Sequence, residues 1–154
     1  MVEDQRERVV PLEEFFIGPS KSALEGDEVL TEIQVPNLPA NAVGVHLKHG
    51  TRRVDVAIVN LSVVMVMEGS LCKDIRIALG AVGPTPFRAR KAEDILRGQK
   101  LNGGLEDFVT RMAQVASEES APITDIRGSA DFRRQVVRSL LSQGIECAIA
   151  QSRS

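Results

Sequence analysis

The sequence predicts an α+β fold in which an antiparallel sheet of three to four strands packs against about three helices as a two-layer sandwich. Segments rich in β-branched residues cluster in the first half of the chain, and residues 83–86 then read Gly-Pro-Thr-Pro. Beyond that break the apolar residues recur at helical spacing. Strands followed by helices are typical of an antiparallel sheet with helices on one face.

Four segments are predicted strands. Residues 29–35 alternate loosely between apolar and polar side chains and stop at Pro36, which favours a short edge strand. A second strand is predicted over 42–48. Residues 56–67 are β-branched, and 72–82 place Ile75, Ile77 and Leu79 on one face; the Glu-Gly-Ser turn between these two segments predicts an antiparallel hairpin.

Three helices are predicted in the second half. Residues 89–97 form a short helix closed by Gly98, because glycine adopts the left-handed conformation of a helix end most easily. A second apolar stripe begins at Leu105 and runs to Ala116. Ser129 is a good N-cap for a last helix. The apolar face of that helix is predicted to be Phe132, Val136, Leu140, Leu141, Ile145 and Ile149.

We expect one domain, because 154 residues suffice for a single substantial core. Residues 1–25 are predicted to be an N-terminal extended segment, and 26–154 a single α+β domain. Residues 1–8 are charged where a secretion signal would be apolar, and no apolar run reaches the ~20 residues of a membrane span. These features predict a soluble, cytoplasmic protein.

Composition argues against several classes of function. The formal net charge is −2 and aromatic residues make up 3% of the chain, so a nucleic-acid surface has neither a basic patch nor stacking platforms. Two cysteines, Cys72 and Cys147, are too few for a zinc knuckle or an iron–sulfur site built by this chain. A disulfide between them stays open, although two reduced thiols are favoured.

Sequence motifs give little support for catalysis by this chain. Neither Gly103-Gly104 nor the segment 80–83 has the strand–glycine–helix context of a phosphate-binding loop. His46 and His49 are expected on opposite faces of a strand, which disfavours a shared metal ion. Ser62 has no Gly-x-Ser-x-Gly frame, so nucleophilic catalysis has no local support.

The densest polar group is Lys48, Arg52, Arg53 and Asp55, between two predicted strands. One interpretation is a solvated connection in which Arg and Asp pair weakly. The other is a loop that faces an anion or a ring, and composition alone favours the first.

Five blocks in order carry a family resemblance. They are residues 10–19 (VPLEEFFIGP), 26–33 (GDEVLTEI), 48–57 (KHGTRRVDVA), 78–89 (ALGAVGPTPFRA) with Ala92 and Glu93, and 125–134 (DIRGSADFRR). Together they resemble the C-terminal domain of the FAD-binding (medium) subunit of molybdenum hydroxylases, the xanthine dehydrogenase and carbon monoxide dehydrogenase relatives. The resemblance implies the same antiparallel sheet and three helices.

The resemblance also implies a cofactor and site residues. FAD would be bound mainly by an N-terminal flavin domain that has no counterpart in this sequence, and the chain would bind little FAD alone. Leu30 and Lys48 match the positions that contribute contacts near the isoalloxazine. Val45, His46 and Leu47 stand where relatives often carry an aromatic residue. Structural roles are implied for the positions Arg53, Asp55, Ser129, Arg133 and Arg134.

The implied function is to cover FAD and support electron transfer from iron–sulfur clusters to it, in an oxidoreductase complex outside which the chain is inactive. The expected partners are a flavin-binding domain or subunit, an iron–sulfur subunit and a molybdenum subunit, with a homo-oligomer possible in isolation. The alternative is a non-enzymatic interaction or assembly module that kept the fold and lost the flavin role. An isolated FAD-binding protein is the weakest interpretation, because a phosphate cradle is lacking.

Overall fold

The computed structural model describes residues 7–52, 54–101 and 103–153. The elements in chain order are α1 (Leu12–Phe15), β1 (Phe16–Gly18), β2 (Lys21–Ser22), β3 (Ala42–His49), β4 (Val59–Glu68), β5 (Leu71–Gly80), β6 (Phe87–Arg88), α2 (Arg90–Leu96), α3 (Leu105–Glu119) and α4 (Ala130–Ser152). The predicted α+β class is confirmed.

The main sheet is antiparallel, with strand order β3-β4-β5-β6. β4 and β5 form the predicted hairpin, and Gly69 at its turn has a φ of +60°, which glycine tolerates without strain. Side chains alternate along each strand: Ile75, Ile77 and Leu79 are buried on the inner face. The strands predicted over 42–48, 56–67 and 72–82 are therefore confirmed with small shifts at their ends.

α3 and α4 pack on the inner face of the sheet, and α2 packs against β5 and α3. Apolar side chains from β4 and β5 meet those of α3 and α4 in a single core that includes Leu61, Met112 and Leu141. α4 approaches β4 closely at Gly144, where an added Cβ atom would lie 2.7 Å from a methyl carbon of Leu61. The sandwich thus has helices on one face and leaves the outer face of the sheet uncovered by α3 and α4.

The predicted helix ends are confirmed. The Ser129 side chain accepts a hydrogen bond from the Phe132 backbone N–H, and Gly98 has a φ of +77° just after α2. The predicted apolar face of α4 is buried except at its first member: Phe132 is 39% exposed, because it lies at the edge of the helix–sheet interface beside His49.

The predicted strand over 29–35 is wrong in this structure. Residues 29–35 have no regular secondary structure and pair with no strand in the described part of the chain. Alternation alone does not supply a partner strand, and hydrogen bonding to a partner is what defines a strand. Of the segment predicted to be extended, residues 7–25 contain a helical turn and the small β1–β2 hairpin. Arg8 secures this region through two hydrogen bonds to the Glu28 carboxylate, of 2.5 and 2.6 Å.

The cysteines are free thiols, as favoured: Cys72 is buried and Cys147 is half-buried. Within residues 7–52, 54–101 and 103–153, no helix is long and apolar enough to cross a membrane. The cytoplasmic location stays a prediction.

Candidate functional site at the Lys48 end of the sheet

Lys48 lies near the end of β3 and points to the outer face of the sheet, where its side chain is exposed. Its Nζ donates a hydrogen bond of 2.9 Å to the backbone carbonyl of Asp55. That contact bridges the connection between β3 and β4 and holds the ammonium group beside the loop. Lys48 is therefore a positioned cation on an open surface.

Small side chains line the outer face next to Lys48. Lys48 pairs in register with Asn60, and Asn60 pairs with Gly80. The Asn60 side chain leans over Gly80, since an added Cβ atom there would lie 2.5 Å from the Asn60 Oδ1. One row further along, His46, Ser62 and Ala78 are in register, and the His46 Nδ1 is 2.9 Å from the Ser62 Oγ. The result is an open, polar surface on the outer face of the sheet beside Lys48.

Arg133 fixes the strand ends beneath this surface. Its side chain is 5% exposed, and its Nη1 donates hydrogen bonds of 3.0 Å to the carbonyls of Ile58 and Ala81. Ile58 precedes β4 and Ala81 follows β5, and the Ile58 N–H donates to the His49 carbonyl at 2.8 Å. One guanidinium therefore ties together the ends of β4 and β5 and, through Ile58, the end of β3 that carries Lys48.

Asp125 completes the arrangement. The Arg133 Nη2 donates a hydrogen bond of 2.7 Å to the Asp125 Oδ1, which also accepts from the Arg127 backbone N–H at 2.9 Å. These contacts hold the pKa of the Asp125 carboxyl below its usual range, the Arg127 backbone N–H being the larger cause and the Arg133 guanidinium the next. Asp125 is thus a permanent anionic partner for the buried Arg133 cation at neutral pH.

The two histidines of β3 lie on opposite faces of the strand, as predicted. His46 is exposed on the outer face, whereas His49 turns inward and its ring centroid lies 5.8 Å from that of Phe132. Among the residues that the structure describes, no group of three or more His, Cys, Asp or Glu side chains could hold a metal ion.

The two residues singled out for cofactor contact lie on different segments of the chain. Lys48 belongs to the main sheet, whereas Leu30 is 50% exposed on the irregular segment between β2 and β3. Arg52 is exposed in the connection after β3, and Arg53 lies outside the described residues. Arg134, for which the resemblance implied a structural role like that of Arg133, pairs with Asp131 at the surface at 3.3 Å.

Sequence reasoning missed a second buried cluster. The Glu93 side chain is 1% exposed, and it accepts hydrogen bonds from the Ile77 backbone N–H at 2.9 Å and from Arg88 and Arg97. Glu93 thereby joins α2 to β5 and β6. The only sequence signal was the position of Ala92-Glu93 in the resemblance, because the partners of Glu93 are distant in sequence.

Comparison with known proteins identifies a matching family and several relatives. Residues 47–148 match the model of the CO dehydrogenase flavoprotein C-terminal domain. The glyceraldehyde dehydrogenase medium chain of Sulfolobus acidocaldarius is 35% identical over 133 residues, which cover 86% of this chain and 46% of that protein. The xanthine dehydrogenase FAD-binding subunit of Escherichia coli O157:H7 is 28% identical over 145 residues, which cover 93% and 49%.

Solved structures agree with the fold. Carbon monoxide dehydrogenase from Hydrogenophaga pseudoflava superposes with a TM-score of 0.87 at 33% identity, covering 93% of this chain and 49% of that one. Quinoline 2-oxidoreductase from Pseudomonas putida 86 gives a TM-score of 0.80 at 30% identity, covering 90% and 47%. This chain spans about half the length of the relatives that it matches. Because the match over residues 47–148 includes β4, β5, β6, α2 and α3, the chain belongs to the CO dehydrogenase flavoprotein C-terminal domain family.

Proposed function

We propose that this chain is the C-terminal part of the flavoprotein subunit of a molybdenum hydroxylase-type oxidoreductase. In this role it covers FAD that a partner domain binds, and it supports electron transfer from iron–sulfur clusters to that FAD. The partners are the flavin-binding half of the subunit, an iron–sulfur subunit and a molybdenum subunit. The observation that carries the proposal is the positioned Lys48 cation on the open outer face of the sheet, within the matched region.

The residues present suit a cover for the flavin ring better than a cradle for its phosphates. Ser62 and Ala78 have small side chains, so a planar ring system can lie close to the sheet beside Lys48, whereas the Asn60 side chain fills the space above Gly80. The positive φ angles of Gly98 and Gly104 belong to a helix end and a helix start, and neither follows a strand as a phosphate-binding loop does. The phosphates are therefore assigned to the flavin-binding half.

Lys48 and Leu30 are the proposed contacts near the ring. The redox chemistry is supplied by FAD when it is bound, and the protein orients the cofactor and sets its electrostatic environment. Lys48 contributes a positive charge that stabilises negative charge on the cofactor. Leu30 contributes an apolar side chain from the segment before the sheet, so the two residues approach the ring from different parts of the chain.

Substitution of Lys48 tests the role in the assembled complex. Lys48→Ala is expected to lower flavin affinity or the rate of flavin reduction about fivefold, which corresponds to a charge interaction of about 1 kcal/mol. Lys48→Arg should keep most of the effect of the charge. Lys73→Ala is the matched control, because Lys73 is also exposed on the sheet and pairs with Glu68 near the other end. Unchanged flavin occupancy and reduction in Lys48→Ala would remove the proposed role.

The alternative is an assembly module that kept the fold without the flavin role. Exposed apolar residues favour it, since Val54 and Val56 are 90% and 71% exposed beside Lys48. This alternative predicts a homo-oligomer whose association does not depend on FAD. Sedimentation of the purified chain with and without the flavin-binding half distinguishes the two functions.

A further inference from the structure

A buried guanidinium lies behind the exposed Lys48 site. Lys48 is open to solvent on the outer face of the sheet, whereas the Arg133 side chain is 5% exposed. Arg133 belongs to α4, which packs on the inner face, so it reaches the Lys48 end of the sheet from the opposite layer of the sandwich. Its side chain is too deeply buried to touch a cofactor on the outer face, and any effect on such a cofactor passes through other residues.

The connection between β3 and β4 is closed at its base and across its middle. At the base, the Ile58 N–H donates a hydrogen bond of 2.8 Å to the His49 carbonyl, where the connection joins the two strands. Across the middle, the Lys48 Nζ donates a hydrogen bond of 2.9 Å to the Asp55 carbonyl. The place of the ammonium group therefore depends on the connection, and the place of the connection depends on its base.

Arg133 holds that base from the helix layer. Its Nη1 donates hydrogen bonds of 3.0 Å to the carbonyls of Ile58 and Ala81, so the backbone of Ile58 is bonded to β3 through its N–H and to α4 through its carbonyl. The Asp125 carboxylate accepts from Nη2 at 2.7 Å and orients the guanidinium, whose donors have a rigid planar arrangement. A continuous path of hydrogen bonds thus runs from Asp125 through Arg133 and Ile58 to the end of β3.

We infer that Arg133 is a positioning residue for Lys48: it fixes the base of the β3–β4 connection, and thereby the place of the Lys48 ammonium group on the outer face. This inference rests on the proposed function, and it adds a residue that acts on the flavin through Lys48. A charge interaction weakens as its distance grows, so a displaced ammonium group contributes less to a cofactor held by the partner. The contribution of Lys48 therefore depends on Arg133.

A double-mutant cycle in the complex of this chain with the flavin-binding half from the same organism measures that dependence. The quantity compared is the factor by which Lys48→Ala lowers FAD affinity or the rate of flavin reduction. We expect this Lys48 factor to be about five in the unsubstituted chain and less than about two in Arg133→Met. Glu93→Gln is the matched background, because Glu93 is also buried and paired with arginine but joins α2 to β5 and β6; the Lys48 factor should stay near five there.

A milder variant and a direct readout of the connection complete the experiment. Asp125→Ala removes one contact of the guanidinium and leaves those to the carbonyls, so it should lower the Lys48 factor by a smaller amount than Arg133→Met does. Amide hydrogen exchange of Ile58 in the same complexes reports the base of the connection. Relative to Val63 in the middle of β4, this exchange should be faster in both variants and unchanged in Glu93→Gln.

The outcomes separate the inference from the proposed function. A Lys48 factor unchanged in Arg133→Met and Asp125→Ala would overturn the inference and leave the proposed function intact. An equal fall of the factor in Glu93→Gln would assign the effect to lost stability, and would also overturn the inference. If Arg133→Met does not assemble, the factor in Asp125→Ala decides the question by itself. Lys48→Ala without effect in the unsubstituted chain would instead count against the proposed function.

Discussion

Replacement of Arg133 is expected to be the most damaging single change near the Lys48 end of the sheet. Arg133→Met removes the donors to two carbonyls, Ile58 and Ala81, and the buried partner of Asp125. A buried acceptor left unsatisfied costs about 1–3 kcal/mol, so the two carbonyls account for most of the loss, while the Asp125 carboxylate is 31% exposed and stays solvated. The new apolar side chain offsets part of that loss. We therefore expect the free energy of unfolding to fall by about 3 kcal/mol.

Urea unfolding followed by circular dichroism measures this change, with Arg134→Met as the control. Arg134 is the next residue along the helix, but its partner Asp131 is 88% exposed and the pair is separated by 3.3 Å. Such a surface pair contributes about 0–1 kcal/mol, so the control should unfold almost like the unsubstituted protein. If the two variants lost equal stability, the buried guanidinium would not hold the strand ends as described.

Two further predictions concern carboxylates elsewhere in the chain. Glu93→Gln keeps an acceptor for the Ile77 N–H but loses the charge that pairs with two arginines, so we expect the free energy of unfolding in urea to fall by about 1–3 kcal/mol. Asp94→Asn is the control, because the Asp94 side chain is 68% exposed and its change should alter stability by less than about 1 kcal/mol. An equal effect of the two substitutions would contradict this account. The Arg8 side chain and the Glu25 backbone N–H lower the pKa of Glu28 to about 2. The Arg8–Glu28 contact in the N-terminal region is therefore fully formed above pH 4.5 and is lost as the pH falls towards 2. Titration of the Glu28 carboxyl carbon by NMR checks this, and Arg8→Gln should return the midpoint towards 4.5; a midpoint near 4.5 in the unsubstituted chain would refute the contact.

Local pattern was sufficient to predict β3, β4 and β5 and the three longer helices α2, α3 and α4. The alternation at Ile75, Ile77 and Leu79 depends only on which side chains can be buried together, and the structure buries all three. The capping role of Ser129 was predictable for the same reason, because the cap accepts a hydrogen bond from a backbone N–H three residues away. Features determined within a few residues are visible in one sequence.

Features determined by distant neighbours were not predictable. Arg133 and Arg134 are identical in type and adjacent, yet one contacts carbonyls 75 and 52 residues away and the other pairs with Asp131 at the surface. The prediction of a strand over 29–35 failed for a different reason. Its own pattern is adequate, and the partner strand that pattern requires is not among the described residues.

The candidate site shows the same division. The cluster around Lys48 was visible as charge between two strands, and the family resemblance singled out Lys48 itself. The surface that Lys48 forms with Asn60 and Gly80 depends on the register of β3, β4 and β5, which only the structure supplies. Composition favoured a solvated connection at this point; Arg52 is exposed in that connection, and Lys48 donates a hydrogen bond to the Asp55 carbonyl.

Flavin binding by the separated halves tests the central claim most directly. FAD fluorescence would be titrated with this chain, with the polypeptide from the same organism that carries the flavin-binding half, and with both halves together or fused. The account predicts negligible quenching by this chain, binding by the other half, and tighter binding with slower FAD release when the halves are combined. Quenching by this chain alone as strong as that by the combined halves, or FAD release unaffected by its addition, would contradict the claim that this chain covers a cofactor held mainly by its partner.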